Sequence, residues 1–327
     1  MIQDKNMVKE AATLDIRALR IFEVVAASGS LSVAATQLQV TQSAVSQAVT
    51  QIEQILGTKV LDRSRRPFKL TAAGIALSRR ARQIVDDMDR LIAQVHEADM
   101  ENRPKIRVGM IDSFAATVGP AIVKKVTVSA SQVLLWSGLA NSHAQSLLNR
   151  QVDLIVTSDP LEDMDRLVRR PIFTEPFLVV IPKARLGQFE DAELGKLVQE
   201  MQLVRFSARS HFGAMIERYL RRRGISAPHY LEIDTSDVVM AMIAADLGWA
   251  ITTPMCVLQG RSYLNDVVAI PLPGPALTRT VYQISREDEY EEMAEHFYQT
   301  SRRVLEQDVF PEMKKHIPWL GTKAYLN

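Results

Sequence analysis

The stretch SGSLSVAATQLQVTQSAVSQAVTQIEQIL, residues 28–56, decides how the first part of the chain folds. It predicts two short helices joined by a tight turn, with Thr41 at the N-cap of the second helix. The apolar contacts of the first helix are assigned to Val33, Ala34 and Leu38. The second helix has four apolar residues at helical spacing, which predict one buried side: Val45, Val49, Ile52 and Leu56.

The outward face of the second helix is polar but almost free of charge. It begins at Thr41 and Gln42 and continues through Ser43, Ser46, Gln47, Thr50 and Gln54. Because uncharged hydroxyl and amide groups can donate to and accept from base edges, this face is typical of the reading helix of a helix-turn-helix. Two core helices with a neutral outer face remain the alternative on this stretch alone.

A basic segment follows, TKVLDRSRRPFKLT at residues 58–71, and its pattern predicts a wing. Between Thr41 and Arg82 eight basic residues stand against two acidic ones, a local balance of +6, although the net charge of the whole chain is +1. Arg63, Arg65 and Arg66 suit phosphates or a narrow minor groove. A solvated loop is the alternative, and the preceding reading helix favours a phosphate clamp.

Residues 72–103 predict one long helix with a heptad seam. The seam consists of Leu77, Ala81, Ile84, Met88, Leu91, Val95 and Ala98. Its spacing predicts coiled-coil pairing, hence a homodimer that would present two reading helices to two half-sites. A helix that packs only on its own domain is the alternative.

The composition limits the class of protein. A length of 327 residues predicts two or three domains, and 47% hydrophobic content allows a sizeable core. Cys256 is the only cysteine, which excludes an intrachain disulfide and predicts a buried small side chain. No signal peptide and no apolar run of transmembrane length is present, so we expect a cytoplasmic protein without a membrane partner.

Beyond Pro104, apolar runs rich in Val and Ile alternate with helical patterns. The strand-like runs are 105–111, 133–136, 152–156, 177–181, 203–206, 249–253 and 267–270. This alternation predicts an α/β region of parallel sheets covered on both faces. Ligands of such sheets bind beyond the carboxyl ends of strands, near helix N-termini.

These residues together resemble a LysR-type transcriptional regulator, from Leu14 to about Leu305. The motifs that carry the resemblance are the small pair Ala34 and Ala35, the start Thr41, Gln42, Ser43 of the reading helix, Glu53, Gly57, Arg63, and Leu70, Thr71, Gly74 at the linker helix. Gln47 and Leu61 depart from the family, which commonly has Arg and Phe there. Gln47 is expected to remove a phosphate contact or to read a base, and Leu61 to repack the wing.

The resemblance implies an α/β fold with an all-α N-terminal winged helix-turn-helix domain, a long linker helix, and an effector domain of two α/β subdomains like a periplasmic binding protein. The implied ranges are a flexible tail 1–13, the DNA-binding domain 14–71, the linker 72–103, the effector domain 104–310 and a C-terminal tail 311–327. Subdomain I is expected at 104–158 plus 270–310, and subdomain II at 159–269, with the two crossings near 158–161 and 267–271. No function is predicted for 311–327.

The family's ligand cleft, carried over by position, implies eleven effector-binding residues. They are Asp112, Ser113, Phe114, Ser142, His143, Ser207, Arg209, Ser210, His211, Thr252 and Thr253, with Pro254 beside them. Arg209 among hydroxyls and helix N-termini favours a carboxylate, so a small organic acid is the first hypothesis for the effector. Asp112 argues instead for a cationic or hydroxylated part of the ligand.

The predicted function is therefore a sequence-specific DNA-binding regulator controlled by a small-molecule effector. Its predicted partners are double-stranded promoter DNA, the effector, a second copy through the linker helix, a homotetramer, and RNA polymerase. An α/β solute-binding protein or an enzyme with an appended helical domain is the alternative. Against an enzyme, the sequence has no nucleotide-binding loop, nucleophile elbow or zinc motif, and no cofactor or metal is predicted.

Overall fold

The computed structural model describes residues 14–64, 67–98, 105–127, 130, 132–189 and 193–327. The chain divides into two compact units, Met1–Val95 and His96–Asn327. The predicted tail 1–13, the wing residues Arg65 and Arg66, and the end of the linker at 99–104 lie outside the described residues.

The α-helices of the described residues are α1 (Ile16–Ser28), α2 (Leu31–Leu38), α3 (Gln42–Leu56), α4 (Ala72–Ala98), α5 (Asp112–Thr117), α6 (Gly119–Val126), α7 (Ala140–Leu148), α8 (Leu186–Phe189), α9 (Leu194–Glu200), α10 (His211–Arg222), α11 (Ser236–Ala244), α12 (Pro254–Gln259), α13 (Glu291–Val304) and α14 (Phe310–His316). Short 3-10 turns occupy Lys183–Arg185, Arg261–Tyr263 and Pro318–Leu320, and a π-helical turn occupies Leu305–Val309.

The strands are β1 (Leu61–Asp62), β2 (Lys69–Leu70), β3 (Lys105–Ile111), β4 (Gln132–Gly138), β5 (Leu154–Thr157), β6 (Leu167–Pro176), β7 (Leu178–Pro182), β8 (Val204–Phe206), β9 (Leu231–Ile233), β10 (Ala250–Thr252), β11 (Val267–Pro271), β12 (Thr278–Arg286) and β13 (Tyr325–Leu326).

Helices α1, α2 and α3 surround one apolar core in the first unit. Val45, Val49 and Ile52 are fully buried there, which confirms the predicted inner side of α3. Leu56 is 38% exposed, contrary to expectation, because α3 ends at this residue and the chain turns away through Gly57 at φ 65°. Val33 is also exposed, against the prediction, because the small residues next to it on α2 face the core instead.

The first half of α4 packs on its own unit. Ala81 and Val85 are buried against Leu19 of α1, with Leu77 partly buried beside them. The predicted seam is therefore wrong for its N-terminal part, where the intrachain alternative holds: a coiled-coil partner has no access to Ala81.

The described residues of the second unit form two main sheets and a small two-stranded one, β8-β9. The larger one has the strand order β13-β6-β12-β5-β3-β4, and the smaller one has the order β10-β7-β11. A parallel bridge between Leu203 and Trp249 joins the parallel pair β8 and β9 to this smaller sheet. The expectation of wholly parallel sheets is wrong, because β12 runs antiparallel to β5 and β6, and β7 runs antiparallel to β10 and β11.

The chain crosses between the two sheets at positions that differ from those expected. The first crossing is at Phe177, between β6 and β7, and the second lies at 272–277, between β11 and β12. Residues 159–176 belong with subdomain I for two reasons. Leu161 is buried against α7 and β5. In addition, β6 pairs with β12 along its length. We therefore use subdomain I for the elements of the six-stranded sheet and subdomain II for 177–277.

The segment after α13, which includes the predicted tail, folds onto the effector unit. Met313 and Ile317 are buried, and β13 pairs with β6 at the edge of the larger sheet. The Trp319 indole N–H donates to the carbonyl of Ala269 on β11 at 2.9 Å. This segment thus contacts both subdomains. Within the described residues, no helix combines the length and apolar character needed to span a membrane.

Candidate DNA-reading surface and effector cleft

Helix α3 presents the predicted polar face to solvent. Gln42, Ser43 and Gln47 are exposed, and Ser46 and Thr50 are half-buried. The Thr41 hydroxyl accepts from the Ala44 N–H at 3.2 Å and so forms the predicted N-cap. Thr50 donates to the carbonyl of Ser46 at 2.9 Å, so its hydroxyl is already engaged within the helix. The Ser43 hydroxyl is also engaged, 2.9 Å from that of Thr41. The side chains with the most freedom to reach a base are therefore Gln42 and Gln47.

The buried carboxylate of Glu53 joins α3 to the wing. It lies 2.7 Å from Lys59 Nζ and accepts from the Val60 N–H at 3.1 Å and the Leu61 N–H at 3.5 Å. Burial alone would raise the pKa of Glu53, but the hydrogen bonds from Lys59 and the two backbone N–H groups outweigh it, so its pKa is lowered. Leu61 is buried in the wing core, which fits its expected packing role.

The wing is a two-stranded hairpin in which Leu61 pairs with Leu70 and Asp62 with Lys69. Arg63 is exposed at the start of its turn. The Thr71 hydroxyl donates to the carbonyl of Lys59 at 2.7 Å and accepts from the Gly74 N–H at 3.0 Å. A Cβ at Gly74 would lie 2.1 Å from the Val60 carbonyl oxygen, which explains why this family position is glycine.

The second half of α4 carries large apolar side chains that are exposed in the single chain. They are Ile84, Met88, Leu91, Ile92 and Val95, with exposed fractions between 37% and 58%. Four of the five belong to the predicted seam. This exposed seam is the part of α4 that is free to pair with another chain.

A cleft lies between the two α/β subdomains of the second unit. The empty space of the cleft, including its opening to solvent, is about 460 Å³. Its lining residues are Ile111, Asp112, Ser113, Gly138, Leu139, Ala140, Ser158, Phe206, Ser210, His211, Phe212, Asp234, Ser236, Cys256 and Arg279. Asn141 of α7 donates from its side chain to the carbonyl of Arg209 at 2.8 Å, a hydrogen bond that joins the two subdomains.

Four of the predicted effector residues line this cleft. Asp112 and Ser113 begin α5, directly after β3, and Ser210 and His211 begin α10. The Ser210 hydroxyl accepts from the Gly213 N–H at 2.9 Å and donates to the Ser207 carbonyl at 2.7 Å, so it caps its helix. Burial lowers the pKa of His211, with the nearby Asp159 acting in the opposite direction. The ring is therefore neutral at neutral pH.

The remaining predicted residues are not on the cleft wall: Phe114, Ser142, His143, Ser207, Arg209, Thr252 and Thr253. Phe114 is buried in the core, with its ring stacked 6.5 Å from that of Phe173. Ser142 and Arg209 are exposed. Ser207, Thr252 and Thr253 are buried outside the lining. Arg209 in particular does not stand where a ligand carboxylate in the cleft would contact it.

His143 is a packing residue in this structure. Its ring is buried, and Nε2 lies 2.8 Å from the Met110 carbonyl oxygen. A Cβ at Gly109 would lie 2.6 Å from His143 Nδ1, so the ring fills the space that this glycine leaves on β3. Burial lowers the pKa of His143, and the hydrogen bond to Met110 only partly opposes this.

Sequence reasoning missed Arg279, the cleft's buried cation. Its Nε lies 2.7 Å from Glu175 Oε1, and its Nη2 lies 3.2 Å from the Ser113 hydroxyl and 3.7 Å from Cys256 Sγ. The guanidinium stands 4.8 Å from the centre of the Phe212 ring. Burial disfavours the charged guanidinium and would lower its pKa. The attraction and the hydrogen bond of Glu175 outweigh this effect, so the pKa of Arg279 is raised. No motif marked Arg279, since β12 itself was not among the predicted strands.

The remaining unpredicted polar lining residues are Ser158, Asp234 and Ser236. Asp234 directly follows the short strand β9, and Ser236 is the first residue of α11. A polar Asp-Thr-Ser run before the apolar pattern VVMAMIAA could have indicated a helix start at a strand end, and hence this cleft position.

A winged helix-turn-helix followed by a two-subdomain α/β unit with a ligand-sized cleft defines the class of DNA-binding regulators with an effector domain. Residues 16–75 match the bacterial regulatory helix-turn-helix proteins of the lysR family, and residues 100–306 match the LysR substrate binding domain. The chain belongs to the LysR family of transcriptional regulators, which bind DNA and small-molecule effectors, form oligomers and are not enzymes.

Individual relatives agree with this assignment. The HTH-type transcriptional regulator YofA of Bacillus subtilis (strain 168) is 28% identical over 301 residues, which cover 91% of this chain and 98% of that protein. A full-length variant of OxyR from Pseudomonas aeruginosa has a TM-score of 0.61 at 19% identity, covering 89% of this chain and 95% of that chain. Full-length BenM has a TM-score of 0.54 at 20% identity, covering 90% and 98%. Each of these two solved structures is similar to this chain in fold.

Proposed function

We propose that α3 and the wing read promoter DNA, and that a small organic acid bound in the cleft between the subdomains controls this reading. The reading face comprises Thr41, Gln42, Ser43, Ser46, Gln47 and Thr50, with Arg63, Arg65 and Arg66 for phosphates or the minor groove. The observation that carries the DNA part is the division of α3 into a fully buried apolar side and an uncharged outward side.

The cleft supports the effector part of the proposal. Asp112, Ser113, Ser210 and His211 are the positions of the family cleft that line it. Helices α7, α10 and α11 begin at its wall, and their free N–H groups favour a carboxylate. Arg279, rather than Arg209, is the guanidinium available at the cleft wall. A ligand that prefers the closed cleft by about 1–3 kcal/mol would shift promoter engagement appreciably.

The proposed assembly is a homodimer through the exposed seam of α4, and a homotetramer of two such dimers. Two further exposed apolar side chains support the larger assembly: Leu135 and Trp136 lie on β4, the edge strand of the six-stranded sheet. Since the proposed target is a promoter, we place the protein in the cytoplasm and RNA polymerase among its partners. The promoter complex that the effector favours determines whether polymerase recruitment is promoted or prevented.

A gel-shift experiment with the DNA flanking the protein's own gene tests the DNA part. At low salt the wild-type protein is expected to retard this DNA, and the triple variant Ser43→Ala, Ser46→Ala, Arg63→Ala is expected to bind it at least tenfold more weakly. The matched control is Ser142→Ala, Ser262→Ala, Arg222→Ala, which removes two exposed hydroxyls and one exposed guanidinium from the effector unit. Equal binding by the two triple variants would reject the proposed reading surface.

A further inference from the structure

The cation of the cleft is already neutralised. Arg279 is 4% exposed and Glu175 is fully buried, and they form an ion pair at 2.7 Å. Glu175 also accepts from the Met255 N–H at 2.9 Å, so both of its oxygens are engaged within the protein. The pair contributes no net charge to the cleft. A ligand carboxylate that approached Arg279 would gain a directional N–H donor but little net Coulombic attraction.

Two carboxylates at the cleft wall are not neutralised in this way. Asp112 belongs to subdomain I and Asp234 to subdomain II, and both line the cleft. Among the described residues, neither side chain makes a hydrogen bond or an ion pair. His211, the remaining titratable base of the lining, is neutral because burial lowers its pKa. The cleft wall therefore presents two carboxyl groups without a cationic partner, one on each subdomain.

The same cleft also has groups that suit an anion. Ser158 and Ser236 are 5% and 6% exposed, and in the described part of the chain their hydroxyls have no hydrogen-bond partner. Ser236 opens the nine-residue helix α11, Ala140 opens the nine-residue α7, and His211 opens the twelve-residue α10. Buried hydroxyls without a partner at positive helix ends are suited to a carboxylate that both accepts hydrogen bonds and carries negative charge.

We infer that the effector is a zwitterion of the amino-acid type, with its carboxylate at the helix N-termini and hydroxyls and its ammonium group at Asp112 and Asp234. This inference rests on the proposed function of the cleft and narrows its ligand class. The Phe206 and Phe212 rings, packed edge to face at 4.8 Å on the wall of subdomain II, accept an apolar side chain of the ligand.

The placement of the two acids gives the ligand a way to act. Asp112 and Asp234 line opposite sides of the cleft, and an ammonium group bound between them would attract both carboxylates. This attraction is largest when the two subdomains approach. The ligand thus binds the closed cleft more tightly than the open one, which is the differential affinity that a change of state requires.

Thermal unfolding of the full-length protein with matched ligand sets tests the inference. Each set consists of an L-α-amino acid, its desamino carboxylic acid and its decarboxylated amine, and the sets cover the twenty protein amino acids where the partners exist. We expect at least one amino acid to raise the melting temperature while its desamino acid and its amine do not. Titration of that amino acid should show affinity about 10- to 100-fold lower in Asp112→Asn and in Asp234→Asn, as expected for a lost charged partner.

Two further variants make the test decisive. Asp163→Asn removes an exposed acid outside the cleft and should leave the affinity unchanged. If desamino acids bind as tightly as amino acids and Ser236→Ala weakens them, the cleft is the effector site and the zwitterion inference is wrong. If a compound stabilises the protein equally in Ser236→Ala, Asp112→Asn and Asp234→Asn, the cleft itself is not its site. Absence of stabilisation by every amino acid also overturns the inference.

Discussion

Arg279 and Glu175 face each other directly across β12 and β6, with their side chains 2.7 Å apart and both removed from solvent. These are the two strands that carry the chain between the subdomains: Glu175 stands two residues before the first crossing at Phe177, and Arg279 follows the second crossing at 272–277. The pair also contacts subdomain II, through Met255 and Phe212. One buried ion pair therefore joins the hinge strands to the floor of the cleft.

Replacing Arg279 with Met should destabilise the effector unit strongly. The substitution leaves the Glu175 carboxylate buried without its cation, and such a break costs about 3–5 kcal/mol of unfolding free energy. Urea unfolding followed by tryptophan fluorescence measures this unit alone, because Trp136, Trp249 and Trp319 are the three tryptophans of the chain and all lie in it.

The double variant Glu175→Gln, Arg279→Met should recover part of that loss, since it removes both charges. Arg185→Met is the control, because it breaks the exposed pair with Asp246 and should change the midpoint much less. A midpoint for Arg279→Met equal to that of Arg185→Met would contradict the assigned role of the buried pair.

Leu91→Asp should reduce the size of the assembly. Leu91 is 54% exposed on the seam half of α4, and a carboxylate there would be buried without a partner in a paired helix. Light scattering of the purified protein measures the mass. Gln83→Asp, an exposed α4 position outside the seam, should leave the mass unchanged. A wild-type mass in both variants would reject pairing through this seam.

Gly74→Ala should loosen the junction between the wing and α4. The new methyl group would meet the Val60 carbonyl oxygen at 2.1 Å, and overpacking of this kind costs about 1–3 kcal/mol. Helix melting followed by circular dichroism should show an earlier transition. Gly195→Ala lies on a helix with open space around the added Cβ and should not destabilise the protein. Equal melting of the two variants would show that the junction can absorb the methyl group.

The stability of the effector unit should fall as the pH is lowered below the ordinary histidine pKa of 6.5. Burial lowers the pKa of His143 in the folded state, so the unfolded chain binds its proton first. The stabilisation is complete above about pH 6.5 and is lost as the pH falls toward the folded-state pKa, with a slope of at most about 1.4 kcal/mol per pH unit for this group.

The measurement is the urea midpoint between pH 8 and pH 5. His143→Gln should remove part of this dependence, because the buried His211, whose pKa is also lowered by burial, still contributes. Replacement of the exposed His229 by Gln should leave the dependence as in the wild type. An unchanged slope in His143→Gln would exclude His143 as its source.

The local patterns of the sequence predicted the DNA-binding unit better than the cleft. The inner side of α3 follows from the spacing of Val45, Val49 and Ile52, because one helix meets one core. The cleft depends on which strands pair, and no local pattern revealed that Arg279 stands opposite Glu175, 104 positions earlier in the chain. Resemblance by position found Asp112 and Ser113 at a strand end, but it could not tell a side chain that faces the cleft from one, like Phe114, that faces the core.

The hydrogen bonds of Glu53 at one end of the wing and of Thr71 at the other have a consequence for the operator. They hold α3 and the wing strands as one piece, so the distance between the bases read by α3 and the backbone contacted at Arg63 is set by the protein. If α3 reads bases and Arg63 contacts the backbone as proposed, each added base pair shifts one contact by about 3.4 Å and turns it by about 35° around the duplex axis. Within a half-site, substitutions should then weaken recognition in steps, whereas a single inserted base pair should abolish it.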